Sequence, residues 1–319
     1  MSMNNSASAP AAKAPPAGSL GKRNSFGKFW HDNGPGYLFL LPFFVLFCMF
    51  IIVPVVVAIG TSFTNYNLLQ PAQWAGITNY KLLFMDDDVF ITALKNTMVF
   101  ALITGPIGYI MSFIAAWVIN TLKFRNAFSL AFYAPSITSG VAMSVVWLVF
   151  FSPDRYGYIN NLLINMGIID SPILWTMDSK FILPVIIIVS IWMSMGNGFL
   201  VFLAGLQSIN KEYYEAAQID GIRSKFQELW YITLPMVKPQ LLFGAINSIV
   251  SSFGVFDIAV SIAGMPSPNY AGHTIVAHMY DYAFIRFQMG YASAISIVLF
   301  VITFVLGQVV MKLLSSKDD

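Results

Sequence analysis

Charge is what this sequence has least of. Only 10% of its 319 residues are Asp, Glu, Lys or Arg, against roughly 25% in a soluble domain. With 57% hydrophobic side chains and a mean hydropathy of +0.70, the chain has too little polar surface to cover a water-soluble globule. It reads as a polytopic membrane protein. The net charge of +2, without a basic cluster, gives no footing for a nucleic-acid partner. Cysteine is down to Cys48 in an apolar run, which excludes an intrachain disulfide. Histidine is nearly absent too. His31 lies in the N-terminal tail, and His273 and His278 stand five residues apart with only Asp281 nearby, so both read as structural rather than as zinc ligands. There is no Gly-x4-Gly-Lys-Ser/Thr loop to hold ATP phosphates and no defensible Ser/His/Asp order. The chain reads as a non-enzyme that binds no cofactor and no metal of its own.

What the sequence has instead is long apolar runs. A spanning helix needs about 20 such residues. Six segments qualify, at about 37–62, 94–120, 127–151, 182–206, 238–262 and 291–314, with Pro42, Pro54, Pro106, Pro135 and Pro184 as expected kinks. The expected fold class is therefore all-α, with six transmembrane helices in a domain over 37–314. Residues 1–36 read as a disordered, then basic-aromatic, tail, with Lys22, Arg23 and Lys28 among Phe26, Phe29 and Trp30 on the inner membrane face. Residues 315–319 form a short second tail. The first apolar run is too long for a signal peptide.

Basic residues set the orientation. With the N-terminus in the cytoplasm, the inner side holds Lys13, Lys22, Arg23, Lys28, Lys123, Arg125, Lys211, Arg223, Lys225, Lys238, Lys312 and Lys317. The outer side holds only Lys81, Lys95, Arg155, Lys180 and Arg286. Both termini are expected inside. Three outer stretches follow, at about 63–93, 152–181 and 263–290, and the run Asp86-Asp87-Asp88 in the first reads as a solvated loop tip.

The longest stretch of mixed charge, Glu212 to Pro239, falls on the inner side. Asn210 is placed to cap a short helix, and Ile209 and Tyr214 have the spacing of a hydrophobic staple. Gly221 follows Asp220 where a helix would end in a left-handed residue. Ser224 and Gln227 have capping-box spacing for a second helix, with Phe226, Leu229 and Trp230 on one face. Pro235 and Pro239 are expected to end it. Glu215, Ala216 and Ala217 together offer a small, close-packing surface with one directed charge, suited either to a partner's groove or to a solvated surface helix.

Mid-membrane charge is missing. Lys95 and Asp257 lie near helix ends, which weighs against a secondary transporter of neutral solutes driven by an ion. Uncharged polarity takes its place. Ser190, Ser194 and Asn197 form one helical stripe, and Asn247, Ser248, Ser251 and Ser252 form a second. Facing each other, they would make a hydrogen-bonding wall for a polyhydroxy ligand, with Trp192, Phe199 and Phe253 available to stack on it. The alternative is helix–helix glue, worth about 0.6–2 kcal/mol per bond.

The string Glu215-Ala216-Ala217, Asp220-Gly221 and Ile232-Thr233-Leu234-Pro235 resembles the EAA motif of ABC-importer permeases. In that family the motif forms the coupling helix seated in a cleft of the ATPase subunit, which implies that role for Glu215, Ala216, Ala217, Asp220, Gly221, Leu234 and Pro235. Ser62-Phe63-Thr64-Asn65-Tyr66, Phe132-Tyr133-Ala134-Pro135 and Gly290-Tyr291-Ala292-Ser293-Ala294 are similar to the carbohydrate-uptake branch. The likeness covers about Gly36 to Lys312, and Ala263-Gly264-Met265-Pro266 departs from the branch's paired glycines. It implies a MetI-like permease fold in a bacterial cell membrane. The implied function is import of a carbohydrate, an oligosaccharide in particular, with substrate contacts from the helices flanking the coupling loop. The implied partners are a second permease, two ATPase subunits that bind ATP and Mg, an extracytoplasmic solute-binding protein and membrane lipid. A membrane assembly subunit that keeps the fold without transporting is the alternative, and co-purification with an ATPase separates the two.

Overall fold

The computed structural model describes residues 25–315. The chain divides into two compact units at Val56–Val57. The first contains α1 (Ser25–Phe47) and a wide helical turn at Cys48–Ile52. Helix α1 starts inside the stretch expected as tail, while residues 1–24 and 316–319 lie outside the described residues. The boundary falls within α2 (Val53–Ser62), and Gly36–Ser62 is apolar and long enough to cross a membrane.

The second unit carries the other helices: α3 (Thr78–Met85), α4 (Asp88–Asn120), α5 (Arg125–Ile137), α6 (Gly140–Phe150), α7 (Tyr158–Asn165) and α8 (Ser179–Gln207). There follow α9 (Lys211–Ile219), α10 (Lys225–Glu228), α11 (Leu234–Met236), α12 (Lys238–Phe253), α13 (Asp257–Ala263), α14 (Ile275–Tyr280) and α15 (Met289–Ser315). Among the described residues the only β pairing outside helices is the isolated Thr64–Trp74 bridge.

Helices α4 and α8 make the most extensive helix pair, and α12 packs across both. Small residues let them close up: a Cβ at Gly108 would stand 2.7 Å from the Ser194 hydroxyl. Toward one end, Phe100, Ile182, Ile186, Val189 and Ile262 are buried together. Toward the other, Phe113, Phe199, Phe202, Leu206 and Val237 form a second apolar cluster.

Among the described residues, five helices are long and apolar enough to span a membrane, or six if one bent pair counts as a span. That pair covers the segment expected at 127–151, and the kink expected at Pro135 is a full break. Helices α5 and α6 meet at 96° across Thr138–Ser139. Pro135 removes a backbone donor near the end of α5, and Thr138 and Ser139 are extended, with ψ of 141° and 129°. A hydropathy window counts apolar side chains and is blind to that break.

The aspartate run also departs from expectation. Asp87 caps α4, accepting the Phe90 amide at 2.8 Å. Its second carboxylate oxygen accepts the Tyr291 hydroxyl at 2.7 Å and lies 2.9 Å from His278 Nε2. His278 Nδ1 is 3.4 Å from His273 Nε2, and both imidazoles are buried. Burial alone would raise the Asp87 pKa, but the bonds from His278, Tyr291 and the Phe90 amide hold it well below the usual carboxylate range. Burial, then the neighbouring His278, pushes His273 down to about 4. Among the described residues no group of three His, Cys, Asp or Glu side chains is arranged to hold a metal.

Candidate functional site

Mid-bundle, α4, α8 and α12 surround a cavity of about 540 Å³. Ser190 and Ser194 reach it from α8, and Asn247, Ser248, Ser251 and Ser252 reach it from α12, so the two predicted stripes meet across one space. The third wall was missed. Thr104, Gly108 and Ser112 of α4 line the cavity beside Tyr109, and their spacing of four residues marked one helix face in the sequence. Asp257, at the start of α13, lies at its edge.

Trp192 is not in this wall. A helix turns about 100° per residue, so two positions beyond Ser190 point away from the cavity. Its indole packs edge-on against Trp147, with centroids 5.4 Å apart. Phe199 is buried against Phe132 and Phe253 is buried as well, and neither lines the cavity. Asn197 falls within α8, between the cavity-lining Ser194 and Gly198.

Most of the cavity hydroxyls already have an acceptor. Thr104 donates to the Phe100 carbonyl, Ser112 to Met195, Ser194 to Ile191, Ser248 to Gly105 and Ser252 to Ser248, at 2.7 to 3.2 Å. The Tyr109 hydroxyl donates to the Leu241 carbonyl at 3.2 Å. Ser190 differs: it is 6% exposed, and its hydroxyl has no partner among the described residues. A buried unmade hydrogen bond costs about 1–3 kcal/mol.

At one end of the same helices, α9 to α11 connect α8 to α12. The Asn210 side chain accepts the Glu212 amide at 3.2 Å, and Ile209 and Tyr214 join the apolar cluster around Leu206 and Val237. Ala217 is turned inward and buried, while Glu215, Ala216 and Asp220 are exposed. The helix closes with the Ile222 amide on the Ala217 carbonyl at 2.9 Å. Gly221 sits at φ +95° with nothing within 4 Å of a would-be Cβ, so conformation rather than space requires glycine. The Ser224–Gln227 capping box is formed.

Pro235 does not end the second helix. The backbone stays helical from Lys225 through a wide turn at Leu229–Thr233, and Pro235 is the second residue of α11. The break comes at Val237, and Pro239 opens α12. Leu234 packs on the apolar cluster, and Leu229 is the one of its apolar trio that does so too. Phe226 and Trp230 are 72% and 69% exposed, and Ile219 is 88% exposed. A second cavity of about 680 Å³ opens beside α9, where Arg125, Lys211 and Lys225 face Glu215 and the buried Glu228.

Residues 106–317 match the model of the family described as "Binding-protein-dependent transport system inner membrane component". The chain belongs to this family. It is 36% identical over 275 residues to the probable ABC transporter permease protein YesP of Bacillus subtilis (strain 168), covering 85% of this chain and 87% of that one. It is 30% identical over 290 residues to the arabinooligosaccharides transport system permease protein AraP of the same organism, covering 90% and 91%. Among solved structures, a bacterial ABC transporter involved in the import of the acidic polysaccharide alginate superposes with a TM-score of 0.77 at 25% identity, covering 92% of this chain and 99% of that one. The protein is thus a multi-pass membrane permease of the ABC-importer type, with the MetI-like fold expected from its motif.

Proposed function

We propose that this chain is one permease subunit of a bacterial ATP-driven, binding-protein-dependent importer of a carbohydrate, an oligosaccharide in particular. The observation that carries the reading is a shared pair of helices: α8 and α12 wall the polar cavity, and the same two are joined by the exposed α9–α11 unit. A push on that unit tilts the helices that hold the solute. The names of the relatives, one for arabinooligosaccharides and one for alginate, support a saccharide cargo.

In this reading, residues 37–314 are the permease domain and both termini face the cytoplasm, in keeping with the excess of basic residues, Lys211, Arg223, Lys225 and Lys238 among them, on the α9–α11 side. A second homologous permease completes the pathway, two ATPase subunits bind ATP and Mg, and a solute-binding protein delivers cargo from outside. Glu215, Ala216, Ala217, Asp220 and Gly221, with Leu234 and Pro235 behind them, form the coupling surface. The ATPase biases the bundle only by the difference in its contacts with the two access states. Ser190, Ser194, Asn247, Ser248, Ser251 and Ser252 hold the solute.

The test is reconstitution of the four-subunit complex with its binding protein. ATP-dependent oligosaccharide uptake is expected, and Ser251→Leu is expected to lower it at least about tenfold, the equivalent of 1.4 kcal/mol, while the complex still assembles. Unchanged uptake in that variant would reduce the stripes to helix packing.

A further inference from the structure

We propose that the cavity selects its cargo by charge: it takes an uncharged, hydroxyl-rich saccharide and turns away acidic ones, with Asp257 as the specificity-determining carboxylate. This rests on the carbohydrate-importer reading and goes beyond it, because kinship does not decide the point. The relatives' names include both arabinooligosaccharides and an acidic polysaccharide.

A hydroxyl has one proton and two lone pairs. Those of Thr104, Tyr109, Ser112, Ser194, Ser248 and Ser252 each spend the proton on a backbone carbonyl. What they turn toward the cavity is lone pairs. Asn247 adds two N–H donors, and Ser190 and Ser251 each add a hydroxyl proton, none with an acceptor among the described residues, so the wall offers donors and acceptors together. That mixture suits sugar hydroxyls, which are both; a carboxylate, sulfate or phosphate finds donors here but no cation to offset its charge.

Charge points the same way. Among the described residues lining the cavity, Asp257 is the one charged group, and no Lys, Arg or His stands there to neutralise an acidic ligand. Like charges brought close repel, and more strongly at a protein surface than in bulk water. Asp257 is the first residue of α13 and lies beside Gly140, the first residue of α6, with 3.9 Å between its Cβ and a Cβ built at Gly140. A carboxylate there also suits the two helix starts. That role alone would leave ligand choice untouched, which gives the test its leverage. The independent sign that a ligand enters is the buried, unpartnered hydroxyl of Ser190 on the same wall.

The test uses the assembled complex without its binding protein, so that the permease's own preference is read. Arabinotriose, maltotriose and raffinose are the uncharged probes and trigalacturonate is the acidic one, followed by tryptophan fluorescence and calorimetry. At least one uncharged probe is expected to bind about tenfold or more tighter than trigalacturonate, a gap equal to about 1.4 kcal/mol. Asp257→Asn removes the charge at nearly constant size, so it should narrow the gap, chiefly by tightening trigalacturonate. Asp257→Glu should keep the gap, and Ser190→Ala should weaken the uncharged probe without closing the gap. If trigalacturonate binds as well as the uncharged probes, the charge selection is wrong and the importer reading stands. If the preference is intact in Asp257→Asn, Asp257 is not the selector. If no saccharide binds, the carbohydrate reading itself falls, and the inference with it.

Discussion

The two ends of the helix bundle handle their polar groups in opposite ways. At the start of α4, Asp87 is bonded by His278, Tyr291 and the Phe90 amide, and the buried His273 stands behind them. Every group there finds its partner within this chain. At the far end of α4, more than 30 residues on, α9 to α11 hold Glu215, Ala216 and Asp220 out into solvent, with Ile219, Phe226 and Trp230 exposed beside them. The helix starts at Asn210 and Ser224 are capped by side chains, and of the exposed side chains Phe226 leans on Trp117 with centroids 5.8 Å apart. One end is complete in itself. In the proposed function, the other is completed by an ATPase, and a bundle pushed from one end needs both.

The sharpest way to break that contrast is to remove the hub of the closed end. Asp87→Ala strips the α4 cap and leaves His278 and Tyr291 buried without their acceptor. A loss of about 2–4 kcal/mol is expected, read as a lower melting temperature of the purified complex. Changes at the open end should spare stability and cost function. Gly221→Val forces a β-branched residue into the left-handed region, a local cost of about 1–2 kcal/mol, and ATP-driven uptake should fall at least about tenfold with insertion unchanged. The smallest effect is pH. Both His273 and Asp87 titrate below their ordinary values when folded, so the unfolded loop takes up protons first and acid removes stability. The loss from His273 begins as pH falls below 6.5 and runs to about 4, and that from Asp87 follows below 3.8. Melting followed from pH 7 to 4.5 should show the decline, and His273→Gln should flatten it.

The contrast also explains what could be read without coordinates. The open end was legible because its signals are local: the Asn210 cap, the Gly221 turn and the Ser224–Gln227 box each act within four residues of chain. The two serine stripes were legible for the same reason. The closed end was not, because Asp87 and His278 lie 191 positions apart and nothing in either neighbourhood announces the other. Trp192 was misplaced because closeness in sequence is not closeness around a helix. Pro235 was misread because the wide turn before it has no sequence mark strong enough to foresee. The break between α5 and α6 hid inside an apolar run for the same reason that made the run visible.

The central claim is that α9–α11 receives force from a separate ATPase. The most direct measurement is disulfide or bifunctional crosslinking from Ala216→Cys in a Cys48→Ser background, within the assembled transporter in native membranes. The account predicts a crosslink to the ATPase subunit whose yield changes when ATP is bound. An intact, ATP-hydrolysing complex in which Cys at position 216 reacts freely with water-soluble maleimide in every nucleotide state, and never with the ATPase, would contradict it.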